Sequence, residues 1–307
     1  FQYDEAGNQT SITDALNRTS TINYDALSRP TTITDALGNQ TNASYDAVGN
    51  VIAETDQLGR TTRYTYDQRN LKTGVIDPLG NKTSSSYDSV GNLIAVSDAL
   101  GHTTNYQYDP LSRRTKVIDA LNNETNYTYD AFGNQTQITD ALLHTTSYTY
   151  DRLNRQTGVK DALGNQTTYT YDPFGNQTQI TDALGRSTKY IYDELNRVKQ
   201  TTDAMGGVTT NTYDAFGNQL SLTDPLNRTT NYTYDELNRN TSIIDPNSHT
   251  TTNNYDAVSN LIATTDAQDR QTKYAYDALK RRTVVTNPDN QTVTTNYDKV
   301  GNVVGVI

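Results

Sequence analysis

A Tyr-Asp pair stands at Tyr3-Asp4 and returns every 21 residues, through Tyr24, Tyr45, Tyr66 and eleven later tyrosines as far as Tyr297-Asp298, with no interval longer or shorter. Fifteen in-phase copies mean that one small supersecondary unit is stacked on itself, because a unit of this size has too little apolar surface to fold alone. A length of 307 residues would by itself suggest two domains, but the unbroken period argues for one continuous array over residues 1–307.

Only 33% of the residues are hydrophobic, which on composition alone approaches a disordered chain. The period changes that conclusion, since each repeat adds its few apolar residues to a continuous stripe. Tyrosine dominates, with 23 copies against four Phe and no Trp. A covered Tyr ring needs a partner for its hydroxyl, which suits a narrow core lined with Thr, Asn and Gln. A net charge of −10 and a pI near 4.7 argue against a phosphate-binding groove, and the basic residues are scattered through the period, so no nucleic-acid partner is expected. There is no Cys, hence no disulfide and no thiolate metal site. No apolar run approaches the roughly 20 residues of a membrane helix, and no signal peptide lies within these residues, so an export signal is expected outside this segment. The chain opens at Phe1, in phase and without Met, and is expected to be a segment of something longer.

The stretch from Tyr171 to Tyr192 holds two turn signals, Asp172-Pro173-Phe174-Gly175 and Asp182-Ala183-Leu184-Gly185. Asp first, Pro or Ala second and Gly or Asn fourth is what a type I turn followed by a left-handed residue requires, a common connection in longer β-hairpin loops. Six of the seven prolines follow the first turn position, and fourteen of the eighteen glycines occupy the fourth. Helices would be broken every ten or eleven residues by such a pattern. The segments between turns, of about six or seven residues, have strand length. Thr178 and Ile180 are assigned to one face by period two. The Ile180 site is Ile or Val at Ile12, Ile33, Val75, Val96, Val117, Ile138 and Val159, with Glu54, Thr201 and Thr264 as exceptions. Tyr190 and Tyr192 likewise share a face. The reading is a continuous antiparallel series of about 28 to 30 short strands, with Tyr and Ile/Val inside and Thr, Gln and Asn outside. Laid flat at ~4.8 Å per strand it would span roughly 130 to 145 Å, so it is expected to twist, coil or close.

A 42-residue superperiod overlies the first. Units opening in the manner of Tyr129, Tyr171 and Tyr213, with Gly-Asn at the turn, alternate with units such as Tyr150, Tyr192 and Tyr234, with Asn-Arg. Neighbouring hairpins are therefore expected to occupy two different environments. Regularity decays toward the end, where Asp269 and Asn290 replace the turn glycine.

No catalytic constellation stands out. The aspartates recur at turn position one, where a carboxylate bonds backbone amides locally, and a catalytic pair would have to differ from its copies. The spacing lacks the dense Asp pattern of a calcium loop. His102, His144 and His249 share one place, the residue after the second turn, and are read as exposed variable positions rather than a metal site. No nucleophile elbow is present. Sequons such as Asn8-Gln9-Thr10 arise automatically from the repeat.

Tyr-Asp followed by a turn Gly-Asn or Asn-Arg at about twenty-residue spacing resembles the RHS/YD-repeat family, which includes bacterial polymorphic toxins, the C components of insecticidal toxin complexes and the animal teneurins. The resemblance covers the whole chain. It implies an all-β fold, a repetitive antiparallel β-hairpin array coiled into a spiral sheet, tube or shell. It also implies that Tyr129, Asp130, Gly133, Asn134, Tyr150, Asp151, Tyr171, Asp172, Gly175, Asn176, Tyr192, Asp193, Tyr213, Asp214, Gly217 and Asn218 are structural motif residues. No family core segment, self-cleavage site, plug or toxin domain is found, and the unvarying repeat length favours a uniform coil. The expected function is non-enzymatic and needs no cofactor: the wall of an extracellular fibre or tube, or of a toxin-enclosing shell, secreted or at the cell surface. A surface adhesin binding glycans through a polar outer face is the alternative. The expected partners are repeats of the same or identical chains in a homo-oligomer or filament, an enclosed toxin domain, and glycans.

Overall fold

The computed structural model describes every residue from Phe1 to Ile307 and consists of strands and turns alone. Thirty antiparallel strands form one open sheet, from Gln2–Tyr3 to Val303–Val306. Apart from short strands at the two ends, six-residue strands closing on the repeat Tyr alternate with five-residue strands, slightly shorter than the spacing suggests. Each strand pairs with the next in sequence, as in Gln166–Tyr171, Gln177–Thr181 and Ser187–Tyr192.

The turns are closed as the sequence requires. Asp172 N donates to Asn176 O at 2.9 Å and Gly175 N to Asp172 O at 3.2 Å. The fourth turn residue has positive φ throughout, filled fourteen times by Gly and fifteen times by other residues, mostly Asn and Ser. Asp269 and Asn290 adopt the same conformation, at 58° and 62°, so the late departures keep the turn.

An odd repeat of 21 sets a problem of parity, and a β-bulge solves it. Tyr171 pairs with Gln177, but Thr170 pairs with Gln179, so Thr178 is an extra residue on its strand. Without it Gln179 would stand opposite Tyr169 and Ile180 would lie on the other face. With it, Tyr169 faces Ile180, which faces Thr188. The same slip recurs from the first hairpin to the last. The bulge also corrects the assignment of Thr178 to the face of Ile180: its hydroxyl lies 3.0 Å from that of Thr170, on the opposite face.

The apolar rows are real but not sealed. Tyr148 stands opposite Val159, Tyr127 opposite Ile138 and Tyr106 opposite Val117, pairs worth roughly 0.2 to 1 kcal/mol each. No side chain is fully buried, Ala263 is the one buried hydrophobic residue, and Ile12 and Ile33 remain 40% and 44% exposed. The expected inside with a narrow core is thus corrected. A sheet one strand thick covers its rings with neighbours in the same row, leaving most tyrosines half-buried.

By proximity the chain divides into two units, Phe1–Lys82 with Tyr232–Ile307, and Thr83–Asn231. In the second, Thr83–Asn231, consecutive strands run without interruption and the apolar turn residues of both rows are exposed, Phe132 at 82% and Leu100 at 81% among them. In the first, the early turns meet the late ones: Arg18 Nη1 donates to Asp277 O at 3.1 Å.

Candidate functional site

The candidate site of this molecule is its two rows of turns, built from repeated residues. The turns that follow each Tyr-Asp tyrosine form rim A, and those beginning at Asp14, Asp35 and so on form rim B. At each, the Asp carboxylate organises its own loop. Asp172 Oδ1 accepts from Phe174 N and Asn176 N, both at 2.9 Å, and Oδ2 from Asn176 Nδ2 at 2.9 Å. Where residue five is Arg, as at Asp193, the guanidinium replaces the amide, with Arg197 Nε 2.7 Å from Oδ2. These bonds to the charged form hold carboxyls such as those of Asp130 and Asp193 below their usual range, the Asn134 side chain chiefly at the first and the Arg197 backbone amide chiefly at the second.

The repeat tyrosine is a latch. Tyr171 donates its hydroxyl to Gln156 O at 2.7 Å, fifteen residues back, and Tyr129, Tyr150, Tyr192 and Tyr213 do the same to Arg114, Gln135, Gln177 and Val198. Each hairpin is thereby laced to its predecessor, which Phe cannot do. Desolvation pushes the hydroxyls of Tyr108, Tyr150, Tyr192 and Tyr276 above their ordinary value.

Along rim A the contacts alternate, as the superperiod requires. From a Gly-Asn turn to the next Asn-Arg turn the link is an amide pair: Asn134 to Asn154 Oδ1 at 2.8 Å, Asn176 to Asn196 Oδ1 at 2.7 Å. From an Asn-Arg turn onward it is a guanidinium: Arg155 lies 4.7 Å from the centre of the Tyr171 ring and donates to Asp172 O at 2.8 Å. Arg113, Arg197 and Arg281 repeat this over Tyr129, Tyr213 and Tyr297. Burial alternates too, the first residue of the six-residue strands being half-buried at Thr145, Ser187 and Thr229 and exposed at Gln166, Val208 and Thr250.

The motif residues from Tyr129 to Asn218 therefore lie on rim A at corresponding places in successive hairpins, each in its local network. The signal for the bulge and for the Arg-ring contact was present in the sequence, as the uneven ten-and-eleven split of the period and as Arg sixteen residues before a Tyr. The three histidines lie on rim B, each with Nδ1 2.9 to 3.0 Å from the Asp of its own turn. No group of three or more His, Cys, Asp or Glu is placed to hold a metal ion. No helix is long and apolar enough to cross a membrane. Within the first unit, Ala43 takes a place that most repeats give to Tyr, opposite Glu54, and a crevice of about 820 Å³ opens there. Glu54 is not an orphan charge, since Tyr64 donates to it at 2.6 Å and is itself pushed up to about 12, mainly by that bond.

Hairpins repeated in one sheet, latched by Tyr and turned by Asp, define a β-hairpin repeat protein. The profile of the family described as RHS Repeat matches residues 3–40, 45–82, 87–250 in overlapping stretches and 255–292, and the chain belongs to that family. Its fold is similar to the TcdB2-TccC3-TEV crystal structure, with a TM-score of 0.61 at 16% identity, over 99% of this chain and 23% of the other. It is similar also to TcdB2-TccC3 without its hypervariable C-terminal region, at 0.56 and 16%, over 99% and 23%. A Tc holotoxin pore from Photorhabdus luminescens gives 0.51 and 18%, over 97% and 20%. The chain thus spans less than a quarter of these proteins. No curated protein matches it in sequence.

Proposed function

We propose that the chain is a non-enzymatic wall element acting as one continuous array over residues 1–307, secreted or held at the cell surface. Such a wall would line an extracellular fibre or tube, or a shell around a toxin domain. The observation that supports this reading most is the Tyr latch: the most regular polar side chain of the sequence is spent on joining each hairpin to the one before it, as in Tyr171 to Gln156 O. The turn carboxylates are likewise consumed locally, which leaves no differentiated acid and base. Similarity in fold to toxin-complex chains agrees with a wall that surrounds something.

The test follows from nearest-neighbour energetics. Chains of two, eight and fourteen repeats should melt at rising temperature, and equal melting temperatures would overturn the reading. Binding of defined glycans, lost when outward Asn and Gln are replaced, would favour an adhesin instead.

A further inference from the structure

The first unit shows what the two rims do when they meet. Rim B leucines Leu16, Leu37 and Leu58 are 44%, 46% and 44% exposed, whereas the same position from Leu100 to Leu226 in the second unit ranges from 71% to 95%. On rim A, Val258, Leu279 and Val300 are half-buried, while Leu111, Phe132, Leu153, Phe174, Leu195 and Phe216 are 63% to 84% exposed. Among the rim B arginines the covered one is Arg18, while Arg60 and Arg270 of the same unit stay 53% and 62% exposed. The Arg18 side chain is 13% exposed and reaches Asp277 O, whereas those of Arg186 and Arg228 are 66% and 61% exposed.

The spacing of the two rims makes this contact repeatable. Rim B carries Arg18, Arg60, His102, His144, Arg186, Arg228 and Arg270 at intervals of 42 residues. On rim A the turn carbonyls of alternate repeats receive an Arg from the same rim, as Asp130, Asp172 and Asp214 do. The others, Asp109, Asp151, Asp193, Asp235 and Asp277, form a second ladder of the same 42-residue period, and Asp277 is the one that Arg18 takes. The rim B donors, Arg at five of these places and His at two, are thus in step with rim A carbonyls that keep a lone pair beside the one bonded to their own turn amide, between two rows of exposed apolar turn residues.

We infer that the free rims of the Thr83–Asn231 unit are a head-to-tail interface for a second copy of this chain, rim B of one copy seating on rim A of the next. The occupant is identified by the first unit, where these same two rims of this same sequence already cover one another. Because the two surfaces differ, the contact is heterologous and propagates into an open assembly instead of closing as a dimer. Apolar turn residues supply the burial, and the Arg186 and Arg228 guanidiniums supply the register. This deepens the wall reading by naming what one wall element joins.

The test is sedimentation velocity over a concentration series, with electron microscopy, on the whole chain and two variants. One carries Phe132→Glu, Phe174→Glu and Phe216→Glu on rim A, the other Leu142→Glu, Leu163→Glu and Leu184→Glu on rim B. The unaltered chain should grow with concentration into filaments. Each variant alone should stay monomeric, with unchanged circular dichroism. An equimolar mixture of the two should give dimers and nothing larger, since one intact rim of each kind remains. The milder pair Arg186→Gln and Arg228→Gln should weaken association about tenfold or more while leaving the fold untouched. An unaltered chain that stays monomeric throughout, a variant that still grows alone, or a mixture without dimers overturns the inference. A monomer whose melting temperature still rises with repeat number would sink the interface and leave the wall standing.

Discussion

The turn from Tyr171 to Asn176 and the turn from Tyr192 to Arg197 share a backbone and differ in nearly every contact beyond it. In both, the Asp closes the loop through the same two amides. In the first, Arg155 arrives from the preceding turn to cover the ring and cap Asp172 O. In the second, Asn176 arrives and bonds Asn196 Oδ1, and no guanidinium covers Tyr192, whose hydroxyl is pushed up by burial. The left-handed residue changes accordingly: Gly175 at φ 97° where only the backbone matters, Asn196 at φ 60° where the side chain is also an acceptor. Backbone geometry thus has a period of 21 and side-chain chemistry a period of 42, so one fold presents two kinds of junction.

The largest effect should come from removing what both turns share, the ionised aspartate. The folded-state pKa of these carboxyls lies below the ordinary 3.8, through the Asn134 side chain at Asp130 and the Arg197 amide at Asp193. A depressed carboxyl contributes stability that is complete above the unfolded value and lost as pH falls through the folded one. The array should therefore hold its melting temperature from neutrality to about pH 4 and lose it steeply below. Circular dichroism melts across that range would check this, and a flat profile down to pH 2 would contradict it.

Next in size is the ring. A fully buried large aromatic cut to alanine would cost roughly 3 to 5 kcal/mol, but with Tyr171 half-buried in a single-layer sheet, Tyr171→Ala should cost about 2 to 3 kcal/mol. Tyr171→Phe keeps the ring and loses the bond to Gln156 O, for about 1 kcal/mol. Denaturant melts of both variants separate cover from latch; equal costs would mean that the hydroxyl carries the whole effect.

The two junctions themselves can be set against each other. Arg155→Ala removes a charged hydrogen bond, a ring contact and an ion pair, and should cost about 2 kcal/mol. Asn176→Ala removes the amide link to Asn196 together with its own bond to Asp172 Oδ2, leaves the two backbone amides on Asp172 Oδ1 to the turn's backbone, and should cost about 1 kcal/mol. Salt should narrow the gap between them, because only the first removes a formal charge. Should the two substitutions cost the same at low salt, the alternation would be decoration and not structure.

Much of this is legible in the sequence. The 21-residue interval and the Asp-x-x-Gly turns specify hairpins, and the fourth turn residue takes positive φ wherever Gly or Asn announced it. Alternation of Gly-Asn with Asn-Arg announced two environments. What period two could not supply was the bulge at Thr178, because an extra residue breaks the alternation on which the face assignment rested. Core depth was also beyond it: periodicity tells which residues share a row, but not whether a second layer covers that row, so Ile12 and Ile33 looked inward and lie 40% and 44% exposed. The motif residues are marked by their repetition, whereas the meeting of Arg155 with Tyr171 is written only in a sixteen-residue spacing that runs from one repeat into the next, which no single repeat records.

The smallest effect isolates the left-handed position. Gly175 and Asn196 satisfy it for different reasons, and Leu143 satisfies it for neither: at φ 66° its Cβ is crowded by the following carbonyl, and its side chain, 81% exposed, gains nothing in return. The neighbouring turn at Asp161 has Gly164 there, with φ 89° and open space around the position apart from the end of Lys160. Replacing Leu143→Gly removes the strain but frees the unfolded chain, so the net gain should be about 0.5 to 1 kcal/mol, and Leu143→Asn should do as well because it frees that chain less. If both variants melt below the unaltered chain, Leu143 must be held by a contact outside its own turn. Rim B, on which it sits, is the surface where a second copy would supply one.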